Sequence, residues 1–430
     1  MDEGTGAPGV RRYALALLVV AYALNFIDRQ ILVILQSDIK ADMGLSDTQL
    51  GLLSGFAFAL VYITAGIPIA YWADRGNRRN IIALAVTVWS GMTALSGLTW
   101  SFGQLLAARI GVGIGEAGGS PPAHSMISDY FPPERRATAM AIYSSGLHAG
   151  IFAGFAIGGV ISEYFGWRAA FMVVGLPGLL FAGLFFLTVE EPPRGRFEGG
   201  AVAGYRPGLA ETLSLLLRFR TFWFIALGTG LTAFAGYGNG NFAPLFLERS
   251  HGITGTELGL LLAIGGGGGG LVGTLLGGRM ADALGRHDAR WYLWVPGIAG
   301  LLALPVSVPY LLLDETRIVV PLLVLVTILI NTYLGPCLAI THALVPPAMR
   351  ALASAILFFV LNLIGLGMGP LTAGLLSDYF TPLYGDDGLR YAMLIVAGIA
   401  ALGIGMFFLG ALSLPRDMAL RDSLGSEPEG

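Results

Sequence analysis

The chain is short of nearly everything that a water-soluble protein displays. Only 12% of its 430 residues are charged, where a soluble domain carries about 25%. Lys40 is the one lysine, and every other basic residue is arginine. The single cysteine, Cys337, lies in an apolar run, which excludes an intrachain disulfide. The five histidines form no pair with each other or with carboxylates at i, i+4 spacing, so no metal centre is expected. A net charge of −3 provides no basic field for nucleic acid. Gly265–Gly270 lies in an apolar run with no lysine to meet a phosphate, so it reads as a packing or bending device rather than a nucleotide loop, and no cofactor is expected. An enzyme would need a nucleophile with a base, or a metal cluster, and neither is seen.

What the chain has is hydrophobic length: 55% of its residues are apolar. Runs of about 20 apolar residues, enough to cross a bilayer, fall near 13–36, 48–72, 80–101, 104–127, 138–161 and 168–189, then 221–246, 256–278, 290–312, 317–342, 352–376 and 390–413. The expectation is an all-α membrane protein of twelve spans in two six-helix bundles, 13–189 and 221–413. They are flanked by an N-terminus at 1–12, a linker at 190–220 and a polar, disordered tail at 414–430. Arg11-Arg12 before the first run imitates a signal peptide, but the run continues through Asn25, Asp28 and Arg29 without a small-residue cleavage site, so it reads as a retained span. Within the linker, Leu209–Leu217 suits a short amphipathic helix on the membrane surface.

Arginine sets the orientation. One set of loops holds Arg11, Arg12, Arg75, Arg78, Arg79, Arg135, Arg136, Arg286, Arg350 and Arg416; the alternate set is dominated by acids such as Asp38, Asp42, Asp47, Glu248, Asp314 and Asp386. The positive-inside rule then puts both termini and the linker in the cytoplasm, in a plasma or inner membrane. The halves also repeat: Tyr130-Phe131-Pro132-Pro133-Glu134-Arg135-Arg136 is matched by Leu344-Val345-Pro346-Pro347-Ala348-Met349-Arg350, and Ile161-Ser162-Glu163-Tyr164-Phe165 by Leu376-Ser377-Asp378-Tyr379-Phe380. Parallel repeats of this kind place a cavity near the bilayer midplane, the arrangement of a transporter.

Charges lie inside the spans. Arg109 and Glu116 in the fourth run are about two helical turns apart on one face. A charge in hydrocarbon costs roughly 2.5–3.5 kcal/mol on insertion scales, so these mark either a structural ion pair or a site for protons or substrate. Asp28 and Arg29 are adjacent and point about 100° apart, so cross-helix pairing is expected: Asp28 with Arg109, and Glu116 with Arg29 or with cavity water. Burial favours a protonated carboxyl and a nearby arginine favours the anion, so helix movement can switch proton affinity. These four form the proton-coupling candidates. Asn25, Ser120, His148, Asn239, Asn241, Asn331 and Asn362 are candidates for lining a substrate cavity, with interhelical hydrogen bonding as the plainer reading. His124 and His342 read as packing residues. Glycines at spacing four in the fifth run are expected to pack against a helix of the other bundle.

Several motifs resemble the major facilitator superfamily. Ala70-Tyr71-Trp72-Ala73-Asp74-Arg75-Gly76-Asn77-Arg78-Arg79 is similar to its loop signature between spans two and three, departing from it at Ala70 and Asn77. A second copy runs Gly278 to Arg286 through Asp282, with Ala283 where a basic residue is expected. Arg109, Gly113 and Gly115 match the fourth-span pattern. Gly150, Gly154, Gly158 and Gly159 are similar to the family's antiporter signature, with Phe155 in place of its proline. Within the superfamily, Asn25-Phe26-Ile27-Asp28-Arg29-Gln30 and the stretch from Asn239 to His251 look like the spinster branch. That resemblance implies alternating access, a lysolipid- or sphingoid-like amphipathic substrate, and proton coupling. The same fold also suits a facilitator or efflux transporter of a small organic anion or drug. The partners expected are the bilayer, protons and one small substrate, with the chain a monomer. Asp74, Arg75, Arg78, Arg79, Asp129, Asp282 and Arg286 are expected to form a gate at the arginine-rich mouth, through pairs with facing acids such as Asp129 and with a helix N-terminus.

Overall fold

A computed structural model describes residues 8–197 and 208–425. The ends of the expected N-terminus and tail, 1–7 and 426–430, and the linker stretch 198–207 lie outside the described residues. The described chain is almost wholly helical, and the twelve apolar runs lie on helices, two of them crossing a break. In order these are α1 (Pro8–Ile34), a short α2 (Gln36–Met43), α3 (Asp47–Arg75), α4 (Arg78–Ser96), α5 (Phe102–Glu116), α6 (Ser120–Tyr130) and α7 (Pro133–Thr188). After the linker come α8 (Leu209–Arg218), α9 (Arg220–His251), α10 (Gly255–Gly285), α11 (Trp291–Leu312), α12 (Thr316–Ile330), α13 (Leu334–Leu344), α14 (Pro347–Tyr384) and α15 (Asp387–Gly425). Its 56 residues make α7 two spans, separated where Gly166 takes a left-handed φ of 79° that a side chain would resist.

The repeat seen in the sequence is built into the helices. α7 and α14 both start on the second proline of a Pro-Pro pair, whose ring presets the first helical φ while the preceding proline stays extended. α3, α10 and α14 each contain a π-helical turn, at Leu52–Phe56, Ala263–Gly268 and Asn362–Met368. The fourth and tenth spans, expected as continuous helices, are each broken. Ala117–Gly119 separates α5 from α6, and Asn331–Tyr333 separates α12 from α13. The physical cause is alike: a proline lies just past each break, at Pro121-Pro122 and at Pro336, and cannot donate to the preceding turn.

By contact the chain forms two compact units, Met1–Gly204 with Leu247–Gly267, and Tyr205–Phe246 with Gly268–Gly430. In the first unit the glycine face of α7 packs on α1. A Cβ at Gly146 would stand 2.7 Å from the Val19 carbonyl oxygen, and one at Gly154 would stand 3.1 Å from Ile27 Cα. This corrects the expected partner: the stripe Gly146, Gly150, Gly154, Gly158 serves its own bundle, and only Gly159, one residue off that stripe, meets Gly259 of α10. The core of the second unit gathers Leu216, Phe219, Phe222, Leu293, Leu344, Leu357, Phe407 and Leu414. Here too an expectation fails, because helix α15 continues through the polar sequence after Leu414 as far as Gly425. Asp417, buried in that extension, accepts a 2.7 Å hydrogen bond from the Thr221 backbone N–H, and Ser413 shares one with the Thr221 hydroxyl. A buried carboxylate capping the start of α9 has reason to be helical and ordered.

Candidate functional site

The proton-coupling candidates meet in the first unit. Asp28, Arg109 and Glu116 are almost wholly buried, and the Arg29 side chain is 15% exposed. Arg29 Nε donates to Glu116 Oε2 at 2.7 Å, the cross-helix pair that the sequence suggests. Three aromatic rings surround the Arg29 guanidinium, with Phe26, Phe58 and Tyr62 centred 4.9, 4.8 and 5.2 Å away. Such rings stabilise a cation that has given up its water. The other expected pair takes a different form. Arg109 Nη1 donates to the backbone carbonyl of Asp28 at 3.2 Å, not to its carboxylate. No side-chain ion pair to Asp28 occurs among the described residues; its carboxyl lies by Thr93 of α4. The 100° offset between adjacent residues of α1 turns Asp28 away when Arg29 faces Glu116.

Glu116 is the last residue of α5, at the break, and so at the negative end of that segment's dipole. A carboxylate there is unfavourable unless a cation offsets it, which Arg29 does. The other oxygen, Glu116 Oε1, is buried near the Asn25 side chain and makes no hydrogen bond of good geometry among the described residues. The glycines that bring α5 this close face α3 and α4: a Cβ at Gly115 would lie 2.6 Å from the Trp89 backbone nitrogen. Beside the ion pair is a cavity of about 10 Å³, room for roughly one water. Its lining includes Asn25 and Ser120 with Tyr22, Trp89 and Tyr143, and it is far too small for an amphipathic substrate. His148 of α7 is half-buried and does not line it. In the second unit the asparagines stand separately: Asn239 and Asn241 on α9, Asn331 bonded to the Thr327 carbonyl of its own helix at 2.8 Å, and Asn362 at the start of the π turn of α14.

At the arginine-rich end the hub is Arg78, fully buried. Its guanidinium pairs with Asp129 and donates to Glu191 Oε1 at 2.7 Å, Ser125 Oγ at 2.8 Å and the Pro192 carbonyl at 2.8 Å. Glu191 also accepts from the Arg79 backbone N–H at 2.9 Å, and Arg194 donates to the Ala73 carbonyl at 2.8 Å. Asn77, where the family signature has glycine, caps α4 by accepting from the Asn80 N–H. Asp74 is exposed and makes no ion pair among the described residues, while Arg75 stacks on Tyr71 at 3.5 Å. The expected pairing with Asp129 therefore belongs to Arg78, and its further partners, Ser125 on α6 and Glu191 and Pro192 at the start of the linker, were not read from the sequence. The matching loop of the second unit is simpler: Tyr292 donates to Asp282 at 2.8 Å, and Arg286 is exposed.

The opposite end of the first unit holds a constellation that the sequence reading missed. Ser46 and Gln49 form a reciprocal capping box that starts α3 and fixes Asp47 in its first turn. Asp47 is 1% exposed and accepts two bonds from Arg249, at 2.8 and 2.9 Å, and one from Lys40. Glu163 accepts from the backbone N–H of Thr256 at 2.7 Å, at the start of α10. The single lysine of the chain, beside an acid seven residues on, was the available signal.

The profile of the Major Facilitator Superfamily matches residues 18–367 and, in a second overlapping placement, 225–429. An MFS-type efflux pump of Mycolicibacterium smegmatis is 34% identical over 406 residues, 94% of each chain. Protein spinster homolog 3 of Danio rerio is 25% identical over 435 residues, covering 93% of this chain and 84% of that one. A crystal structure of a bacterial homolog to the human lysosomal transporter Spinster, inward-facing and unoccupied, superposes with a TM-score of 0.87 at 33% identity, covering 96% of this chain and 99% of that chain.

Proposed function

We propose that this chain, which belongs to the Major Facilitator Superfamily and is spinster-like within it, is a proton-coupled secondary transporter of an amphipathic, lysolipid-like substrate, working by alternating access. The observation that carries the coupling is the buried Arg29–Glu116 pair at the α5–α6 break, with Glu116 Oε1 making no hydrogen bond of good geometry among the described residues. A proton arriving on Oε1 neutralises the carboxylate and removes the counter-charge of Arg29. A buried arginine without its anion is costly, so the protonated state favours a rearrangement of α1 against α5 that rehydrates it. Deprotonation restores the pair. Asp28, buried a turn's fraction away with no ion pair of its own, is the second acid that this cycle has available. The substrate class rests on the likeness to spinster proteins, and the positive-inside rule puts the arginine-rich end in the cytoplasm.

A second reading, a facilitator or efflux transporter of a small organic anion or drug, is supported by the likeness to the efflux pump. One experiment separates them. Protein in liposomes with an imposed pH gradient is offered lysolipids and organic anions in turn, as wild type and as the Glu116→Gln, Asp28→Asn double variant. Gradient-driven movement of lysolipid, lost in the double variant while binding survives, is the expected result. Movement of organic anions alone sinks the lipid assignment, and full gradient-driven transport by the double variant sinks the proton site.

A further inference from the structure

Helix α8 has more apolar surface than its unit covers. In LAETLSLLLR, at 100° per residue, Leu215, Thr212, Leu216, Leu209, Leu213 and Leu217 fill an arc of roughly 200°. One half of that arc is used: Leu216 and Leu215 join the core with Phe219, Leu357, Leu414 and Met418. The other half is not. Leu209 is 60% exposed, Leu217 is 64% exposed, and Leu213 between them is partly exposed, a stripe at i, i+4, i+8.

Next to this stripe stand three arginines. Arg218 ends α8, Arg220 starts α9 after the bend at Phe219, and Arg416 lies on α15. The Thr221–Asp417 hydrogen bond brings the last two together, since they are the chain neighbours of its two ends. All three are exposed and make no ion pair among the described residues, and the only acid on α8 is Glu211, two turns from Arg218. Their depth is set by α15. Leu412 is 70% exposed in an apolar helix, and Arg416 follows it by one turn on the same face, where hydrocarbon gives way to headgroups.

We propose that α8 with Arg218, Arg220 and Arg416 forms a binding surface for anionic phospholipid in the adjoining leaflet. Leu209, Leu213 and Leu217 enter the acyl boundary, and the three guanidinium groups take the phosphates. An apolar stripe flanked by cations at headgroup depth is complementary to this one partner. Charge at a membrane surface is worth on the order of 1 kcal/mol per arginine, about a fivefold preference each.

The lone cysteine makes the test clean, since Cys337 is buried and can be replaced by alanine. A nitroxide attached at Leu217→Cys is read in nanodiscs of phosphatidylcholine with and without phosphatidylglycerol. Collisions with oxygen should exceed those with an aqueous nickel chelate. Phosphatidylglycerol held around the protein, measured by mass spectrometry, should fall about fivefold for each of Arg218→Gln, Arg220→Gln and Arg416→Gln. A water-exposed label overturns the proposal. Shielding from both reagents, the sign of coverage by the chain's own linker or by a second copy, overturns it too, as does unchanged phosphatidylglycerol in the triple variant. None of these readouts depends on proton coupling or on the transported substrate.

Discussion

The two broken helices occupy the same place in the two half-chains and do different things. At the α5–α6 break a buried carboxylate meets an arginine from α1 at 2.7 Å. At the α12–α13 break Asn331 turns back to the Thr327 carbonyl of its own helix. The same division appears at the arginine-rich end, where buried Arg78 joins Asp129 and Glu191, and its positional counterpart Arg286 is exposed. Breaks, the π turns of α3 and α10, and Pro-Pro starts come from glycine and proline placement, which duplication copied, while the π turn of α14 has no counterpart in α7. The buried ion pairs at these positions were not copied with them, although Asp417 and Arg390 are buried elsewhere in the second half. At these positions the scaffold is two-fold, and the buried ion pairs are in the first half.

The sharpest way to break this comparison is at the loop pair. Arg78→Ala leaves Asp129 and Glu191 without their cation, and removing one partner of a buried pair costs about 3–5 kcal/mol. Since Asp129 and Glu191 keep some solvent access, the lower end is expected. Arg286→Ala should leave the unfolding midpoint in detergent unchanged. Equal losses in the two variants would mean that the loops are equivalent after all.

How much of this could be read beforehand depends on sequence distance. The helices were legible because apolar length is local, and the Arg29–Glu116 pair because two charges in hydrocarbon must find each other. The hub around Arg78 was half legible: the acid at Asp129 was available as a partner for the loop arginines, but Glu191 lies 113 residues away in a linker with no periodic signal. The breaks in spans four and ten were hidden by continuous hydropathy, although Pro121-Pro122 and Pro336 marked them. The ordered end of α15 was misread because its polar composition says nothing of the buried bond from Asp417 to Thr221.

The Asp47 cluster sharpens the contrast on the opposite end. Its acid is buried, but Arg249 and Lys40 keep 17% and 32% of their side-chain surface, so the pair is worth less than a fully buried one. A double-mutant cycle between Asp47→Asn and Arg249→Gln should return a coupling of about 1–2 kcal/mol in thermal stability. A coupling near zero would show that the bidentate contact is only a surface pair.

Glycine supplies a smaller test. At Gly115 a Cβ meets the Trp89 backbone at 2.6 Å, and a backbone cannot yield as a side-chain tip does. Gly115→Ala should therefore cost about 1–3 kcal/mol, as overpacking does, and loosen the seat of Glu116. Gly335, just past the other break, has nothing within 4 Å of its would-be Cβ. Gly335→Ala should be neutral or stabilising by about 0.5 kcal/mol, through reduced freedom of the unfolded chain.

The smallest effect is expected at Asn331 itself. Its amide makes one local bond, to the Thr327 carbonyl four residues back, which the backbone of a continuous helix would otherwise use. Losing a neutral bond of this kind costs about 0.5–1.5 kcal/mol, and Asn331 is partly exposed, so Asn331→Ala belongs at the low end. More telling than stability is coupling. If the second break is scaffold alone and the proposed coupling holds, transport by the variant should follow a pH gradient with the steepness of the wild type, whereas Glu116→Gln should flatten it. A flattened response in Asn331→Ala would put a coupling group in the second half as well, and the division of labour drawn from the two breaks would fall.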